Sequence, residues 1–428
     1  MPQKYVRLAD ILLNSHMLPA QIQQVQQNTD YATDRRGPRA KKAQFLHSSS
    51  IFLQIYKKNT IFALYIAKKE CTRSSMDRIS DSGSDDWGST PHGCTIYRSG
   101  IRAVFYSKCV LMEIVILDGY VANPGDLSWD KIARLGNLTV YNRTMPNEIV
   151  ERCKDAVAVF TNKVMLDGQT LLQLKSLKFI GVLATGYNNI DIDAATQLGI
   201  TVCNVPSYST ESVAQTVFAL LLEITNKVGE YSAAVSAGAW SNCRDFSFTL
   251  GPITELSGRT MGVYGLGNIG KRVAEIANAF GMHVISPTSQ SADTLPGYIT
   301  KVSFDDFLAS SDVISINSPL TETNRHIFNS DNIAKTRPGV IIINTARGPI
   351  IDEHAVANAL TKGHIGAVGV DVLEQEPPRN GSPLIGAPRC YITPHVAWQS
   401  TDARKRLIEI SANNLAEFIA GHPINKIN

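Results

Sequence analysis

Arg259-Thr-Met-Gly-Val-Tyr264 runs directly into Gly265-Leu-Gly-Asn-Ile-Gly270 and then Lys271-Arg-Val-Ala-Glu-Ile-Ala-Asn-Ala-Phe280. The apolar run Met261 to Tyr264 suits a buried parallel strand. Gly265, Gly267 and Gly270 form G-x-G-x-x-G, and Val273, Ile276, Ala277 and Phe280 follow at helical spacing. That strand–turn–helix setting gives the glycines a physical job. Gly265 permits the tight turn, Gly267 leaves room for a pyrophosphate, and Gly270 lets the helix sit close to the strand. The helix N-terminus then faces the anion.

Outward from this turn, short apolar runs recur with helical stretches between them. Towards the C-terminus, strands are predicted at Val284–Ser286, Val313–Asn317, Val340–Asn344, Ala367–Asp371 and Cys390–Thr393, with helices at Phe304–Ala309, His354–Lys362 and Thr401–Ala420. Towards the N-terminus, strands are predicted at Ile114–Leu117, Val157–Phe160, Phe179–Leu183 and Ile200–Cys203, with helices at Gln169–Lys175 and Ile192–Leu198. Alternation of this kind makes an α/β protein of two doubly wound parallel-sheet lobes. An apolar helix, Glu211 to Lys227, carries the chain from one lobe to the other. The expected division is 112–212 plus 399–428 for a substrate domain and 213–398 for a dinucleotide-binding domain.

Of the 428 residues, 44% are apolar and 18% charged, which suits a globular protein with a sizeable core. No apolar run approaches the roughly 18 residues needed to span a bilayer, so no membrane partner is expected. The seven cysteines are dispersed, with no C-x-x-C. Neither a zinc site nor a redox pair is therefore signalled, no metal is expected, and the dispersed set fits a reducing, cytoplasmic setting.

Residues 1–111 differ from the rest. They hold 16 Lys and Arg against 8 Asp and Glu, while the remainder holds 25 against 30. They lack sustained periodicity and read as a disordered extension. One reading is a mistaken start, with Met112 as the true beginning before Glu113-Ile-Val-Ile-Leu117. The others are an organellar targeting segment and a basic arm for a partner such as nucleic acid. The dispersal of the charges favours plain solvation over the arm, so no nucleic-acid partner is expected.

Three polar groups follow predicted strands, where ligands of open α/β sheets gather. Arg347 lies in Asn344-Thr-Ala-Arg-Gly348. Asp371 and Glu376 lie in Asp371-Val-Leu-Glu-Gln-Glu-Pro377. His395 lies in Thr393-Pro-His-Val-Ala-Trp398. Taken singly, each has an ordinary explanation as a solvated Arg, a loop acid or one of nine histidines. Taken together they suit hydride transfer to a 2-keto acid. A guanidinium forks onto the carboxylate, an imidazole gives the carbonyl its proton, and a carboxylate steadies the imidazolium.

With Ser318-Pro-Leu-Thr321 added, these motifs resemble the D-isomer-specific 2-hydroxyacid dehydrogenase family over residues 112–428. Leu183-Ala-Thr-Gly-Tyr-Asn-Asn-Ile-Asp191 and Val205-Pro-Ser-Tyr-Ser-Thr-Glu-Ser-Val-Ala-Gln215 bring the chain nearest the glycerate dehydrogenase (hydroxypyruvate reductase) branch. The resemblance implies a flavodoxin-like substrate domain beside a Rossmann NAD(P)-binding domain, a homodimer, and a small 2-keto or 2-hydroxy acid as substrate. It makes Arg347, Glu376 and His395 the catalytic three. It places Ala184, Thr185 and Gly186 at the substrate carboxylate, and Asn268 and Ile269, with the glycines, at the pyrophosphate. Ser318 and Pro319 fall beside the adenosine; Thr345, Asp371 and His395 to Trp398 approach the nicotinamide half.

One position departs from the pattern. An acid that grips the ribose of NAD is expected about 20 residues past the glycines, yet Thr288, Ser289 and Gln290 are neutral. No Arg or Lys stands close by in sequence. NAD is the expected cofactor, with NADP or dual use as the alternative. Trp398 is read either as the cap of a small substrate pocket or as core packing. A reading from a different class is a dinucleotide-sensing protein like the C-terminal-binding corepressors, which share this fold.

Overall fold

The computed structural model describes residues 112–428; the expectations for residues 1–111 lie outside them. The first sheet holds β1 (Glu113–Ile116), β2 (Asn137–Val140), β3 (Ala158–Thr161), β4 (Phe179–Val182) and β5 (Thr201–Cys203), in the order β2-β1-β3-β4-β5. The second holds β6 (Thr260–Tyr264), β7 (His283–Ser286), β8 (Ile299–Lys301), β9 (Val313–Ile316), β10 (Val340–Asn344), β11 (Ile365–Val370) and β12 (Cys390–Ile392), in the order β12-β11-β10-β9-β6-β7-β8. Every pairing is parallel. The first order is that of flavodoxin-like sheets, and the second contains the dinucleotide-binding order.

Both faces of each sheet are covered, and the residues show why. Successive side chains of a strand point to opposite faces. Ile114 and Ile116 therefore join one buried cluster with Phe160 and Phe179, while Val115 and Leu117 join another with Val159 and Ile180. The second sheet divides likewise, with Ile342 on one side and Ile343 on the other. Central strands need continuous apolar runs for this, which is how β3, β4 and β9 announce themselves.

The chain crosses between the sheets twice. In the helix Thr210–Asn226, Val213 packs in the first sheet's core, while Ala214, Val217 and Leu221 pack in the second's. The C-terminal helix Thr401–Ile419 returns to bury Leu407, Ala412 and Leu415 over the first sheet. In each sheet the strand order reverses once, between β1 and β3 and between β6 and β9. Ligands of such sheets bind beyond the carboxyl ends of the strands at these points. The second reversal lies between the glycine turn after β6 and Ser318 after β9.

Candidate active site

The glycine turn behaves as its spacing implies. Gly265 has φ +96°, and a Cβ there would stand 2.7 Å from the Ser318 amide. A Cβ on Gly270 would stand 1.9 Å from the Gly265 carbonyl oxygen. Gly267 has open space where its Cβ would be, at the start of the helix Asn268–Ala279, and no side chain caps that helix. Its first amides are therefore left for an anion. Two buried atoms at neighbouring strand ends, Asn317 Oδ1 after β9 and Thr345 Oγ1 after β10, have no partner among the described residues. An uncapped helix, an open glycine and unspent polar atoms together fit a dinucleotide. Asn324 Nδ2 steadies the Ser318–Pro319 corner through the Pro319 carbonyl, at 2.8 Å. Asn268 Nδ2 donates to Ser207 Oγ at 2.6 Å and ties the glycine helix to the loop between the lobes. Ile269 is packed against the cores of both lobes.

Beyond β7, Gln290 Nε2 donates to the Leu266 carbonyl at 3.0 Å, so the neutral turn and the glycine turn are one unit. The sequence reading of this turn as lacking a cation needs correction. Lys301 pairs in register with Ser286 at the end of β8, and its Nζ donates to the Gln290 carbonyl at 2.9 Å. Eleven residues separate them in the chain; strand pairing closes that gap.

Three loops bring the catalytic candidates together. Asn344, at the end of β10, holds the Arg347 carbonyl through Nδ2 and the Ala346 amide through Oδ1. A Cβ on Gly348 would stand 2.0 Å from the Leu373 carbonyl, so glycine lets the Arg347 loop press against the loop that carries Glu376. Glu376 Oε1 accepts from the Leu373 amide at 3.0 Å, and Oε2 pairs with His395 Nδ1 at 2.6 Å. Burial raises the Glu376 pKa, but the hydrogen bond and charge of His395, the Leu373 amide and Lys163 outweigh it. The carboxyl is held below its ordinary range. With Nδ1 engaged, His395 Nε2 has no partner among the described residues.

His395 adopts φ +53°, a left-handed conformation that costs a non-glycine residue on the order of 1 kcal/mol or more. Asp371 holds it there. Its carbonyl accepts the His395 amide at 2.8 Å, and its carboxylate accepts from Thr393 Oγ1, the Val396 amide and the Ala397 amide. Asp371 is 1% exposed. With three donors on its carboxylate, Asp371 shapes the His395 loop.

The opposite wall comes from the first lobe. After β4, the Ala184 carbonyl accepts from Val205, and Thr185 is held by Val205 and Asn204. The amides of Thr185 and Gly186 have no acceptor among the described residues. A Cβ on Gly186 would stand 2.9 Å from Arg347 Nη2, so the guanidinium lies close beside this backbone. N–H groups without an acceptor close to a guanidinium are a chemistry that can hold a carboxylate.

Lys163, missed in the sequence, follows β3 on this same wall. Asp118 pins its loop by accepting from the amides of Asn162 and Lys163, and Asn162 Nδ2 clamps the Leu183 carbonyl just before Ala184. Although solvent reaches it, burial and then the positive charge of Arg347 lower the Lys163 pKa, against Glu376 and Asp118, which raise it. Tyr208 faces the same charge. Burial pushes its hydroxyl pKa up, and the Ser209 hydrogen bond and Arg347 only partly offset this. Trp398 is 8% exposed and lies edge-on to Tyr208 at 6.2 Å in the first lobe's core. Its indole is a packing element beneath the cleft wall, which is the blander of its two sequence readings.

Residues 218–397 match the model for the NAD binding domain of D-isomer specific 2-hydroxyacid dehydrogenases. A hydroxypyruvate reductase of Blautia hydrogenotrophica is 42% identical over 321 residues, covering 74% of this chain and all of that protein. A glycerate dehydrogenase of Methylorubrum extorquens is 37% identical over 284 residues, 66% of this chain and 88% of that protein. The crystal structure of a glyoxylate reductase from Paecilomyes thermophila is 30% identical, with a TM-score of 0.62 over 74% of this chain and 98% of that one.

Proposed function

From a chain that belongs to the D-isomer specific 2-hydroxyacid dehydrogenase family, we propose the reduction of hydroxypyruvate or glyoxylate to the D-2-hydroxy acid. The family makes the protein an NAD(P)-dependent oxidoreductase. Names of the relatives, a hydroxypyruvate reductase and a glyoxylate reductase among them, support the substrate. The bound dinucleotide supplies the hydride. Arg347 and the amides of Thr185 and Gly186 hold the substrate carboxylate, with Lys163 adding positive charge at the rim. His395 Nε2 gives its proton to the carbonyl oxygen as hydride reaches carbon, and is refilled from solvent. Glu376 fixes the ring through Nδ1 and balances the positive charge of the protonated imidazole. Asp371 positions that ring from behind.

The observation that carries this reading is the 2.6 Å His395–Glu376 pair on loops that abut the Arg347 loop. The test is His395→Ala. Dinucleotide binding should persist while kcat falls by about 10²–10⁴-fold, the usual share of general acid–base help. A near-normal kcat with either keto acid would remove the assignment.

The reading extends to assembly and location. Residues 228–253 expose Val228, Val235, Trp240, Phe246, Leu250 and Ile253, with Phe246 at 93%. Apolar exposure of this density marks an interface, and a homodimer through the nucleotide domain is the proposed state. Light scattering on the full chain tests it. Among the described residues no helix is long and apolar enough to cross a membrane. Among the described residues Cys153, Cys203, Cys243 and Cys390 form no disulfide, which supports a reducing compartment such as the cytoplasm.

A further inference from the structure

We infer that the turn after β7 is built for the 2′-phosphate of NADPH, with Lys301 as its cation. This deepens the cofactor half of the proposed reaction and does not depend on which keto acid is reduced. Selection between the two dinucleotides is made at the end of the second strand of the nucleotide domain. There a carboxylate takes the ribose hydroxyls of NAD and repels a phosphate. This chain has hydroxyls at that place, on Thr288 and Ser289. The next acid, Asp293, is occupied by the Ser291 hydroxyl.

The cation comes from the neighbouring strand. Register places Lys301 beside Ser286, and its ammonium reaches 2.9 Å from the Gln290 carbonyl, inside the turn. An ammonium has three donors; that bond uses one. No carboxylate lies within ion-pair distance of Lys301 among the described residues, so its charge is uncompensated. The Gln290 side chain bolts the turn to Leu266 in the glycine loop. The adenosine and pyrophosphate ends of the site are thereby held at a fixed separation. A neutral hydroxyl-bearing turn with an unpaired lysine suits a dianion and gives a bare ribose nothing comparable.

The test needs no turnover. Adenosine 2′,5′-bisphosphate and 5′-AMP are titrated calorimetrically into the full chain and into Lys301→Ala. Wild type should bind the bisphosphate at least tenfold more tightly. Lys301→Ala should weaken it by about ten- to a hundredfold, the worth of a hydrogen bond to a charged group, and leave 5′-AMP unchanged. In kinetics, kcat/KM should fall by the same factor with NADPH and stay constant with NADH. Thr288→Asp, which retains Lys301, should reverse the preference by repulsion. Equal binding of the two nucleotides by wild type overturns the inference, as does a Lys301→Ala variant that changes both or neither.

Discussion

Replacing Gly186 by Ala adds a single methyl to the cleft wall. Its Cβ would stand 2.9 Å from Arg347 Nη2 and 3.8 Å from Asn188 Oδ1. Ordinary contact begins near about 3.5 Å, so the guanidinium must withdraw by roughly half an ångström. The backbone at Gly186 is not left-handed, and the obstacle is the tip of a flexible side chain rather than backbone. Folding should therefore be spared, with a melting temperature within a few degrees of wild type. Substrate binding should not be spared if, as proposed, Arg347 and the amides of Thr185 and Gly186 hold the carboxylate between them. Losing one charged hydrogen bond costs about 1.5–3 kcal/mol. At about 1.36 kcal/mol per factor of ten, kcat/KM for hydroxypyruvate should drop roughly 10- to 150-fold while the dinucleotide Kd is unchanged. The assay is steady-state kinetics at saturating cofactor beside a thermal melt. If kcat/KM stays within twofold of wild type, Arg347 does not hold the carboxylate at this wall. If the melt collapses instead, the premise that the side-chain tip yields is wrong.

Three other expectations follow from the same geometry. Gly267→Ala meets nothing in the protein and should fold normally yet bind dinucleotide poorly. Gly270→Ala, aimed at the Gly265 carbonyl from 1.9 Å, should lose stability by roughly 1–3 kcal/mol or more; similar melts for the two variants would contradict this. Lys163→Met should raise KM for the keto acid by about tenfold, as expected when one charged contact is lost, with kcat much less affected; an unchanged KM would show that Lys163 stands apart from the substrate. Because the Glu376 carboxyl is held below its ordinary value, its contribution to stability is present above the unfolded value of about 4.3 and fades as pH falls through the folded one. The gap in melting temperature between wild type and Glu376→Gln should thus be steady above about pH 5 and shrink below about pH 4. A gap that widens on acidification would reverse the sign of this linkage.

The parts of the fold that the chain itself displays are those whose burial is complete. β3, β4 and β9 are covered on both faces and must be apolar throughout, so they stand out as runs. β2 has one half-buried residue and three exposed ones, and β8 buries only Ile299. Edge strands of this kind carry no apolar run, and both passed unnoticed, as did the largely exposed helix Val228–Ser236. Observed strands otherwise differ from expectation by one or two residues at their ends, as with β3 at Ala158–Thr161 and β11 at Ile365–Val370.

For the site, local chemistry was legible and neighbourhood was not. Glycine spacing before an amphipathic helix is a constraint among adjacent residues, so the dinucleotide turn can be read directly. The same holds for Arg347, Glu376 and His395, each following its own strand. Lys163 and Lys301 belong to no motif, and solvated lysines look the same in a string of letters. The Asp118 clamp brings the first to the wall across from Arg347, and parallel register lays the second beside Ser286, within reach of the Gln290 carbonyl. Asp371 and Trp398 show the converse. Their positions drew attention, but burial decided that one shapes a loop and the other fills a core. Residue order thus determined which chemical groups this protein owns and the periods that make its strands and helices, because those depend on neighbours along the chain. Which groups meet, and which are hidden, was decided only when long-range pairing and packing set distances that sequence separation does not contain.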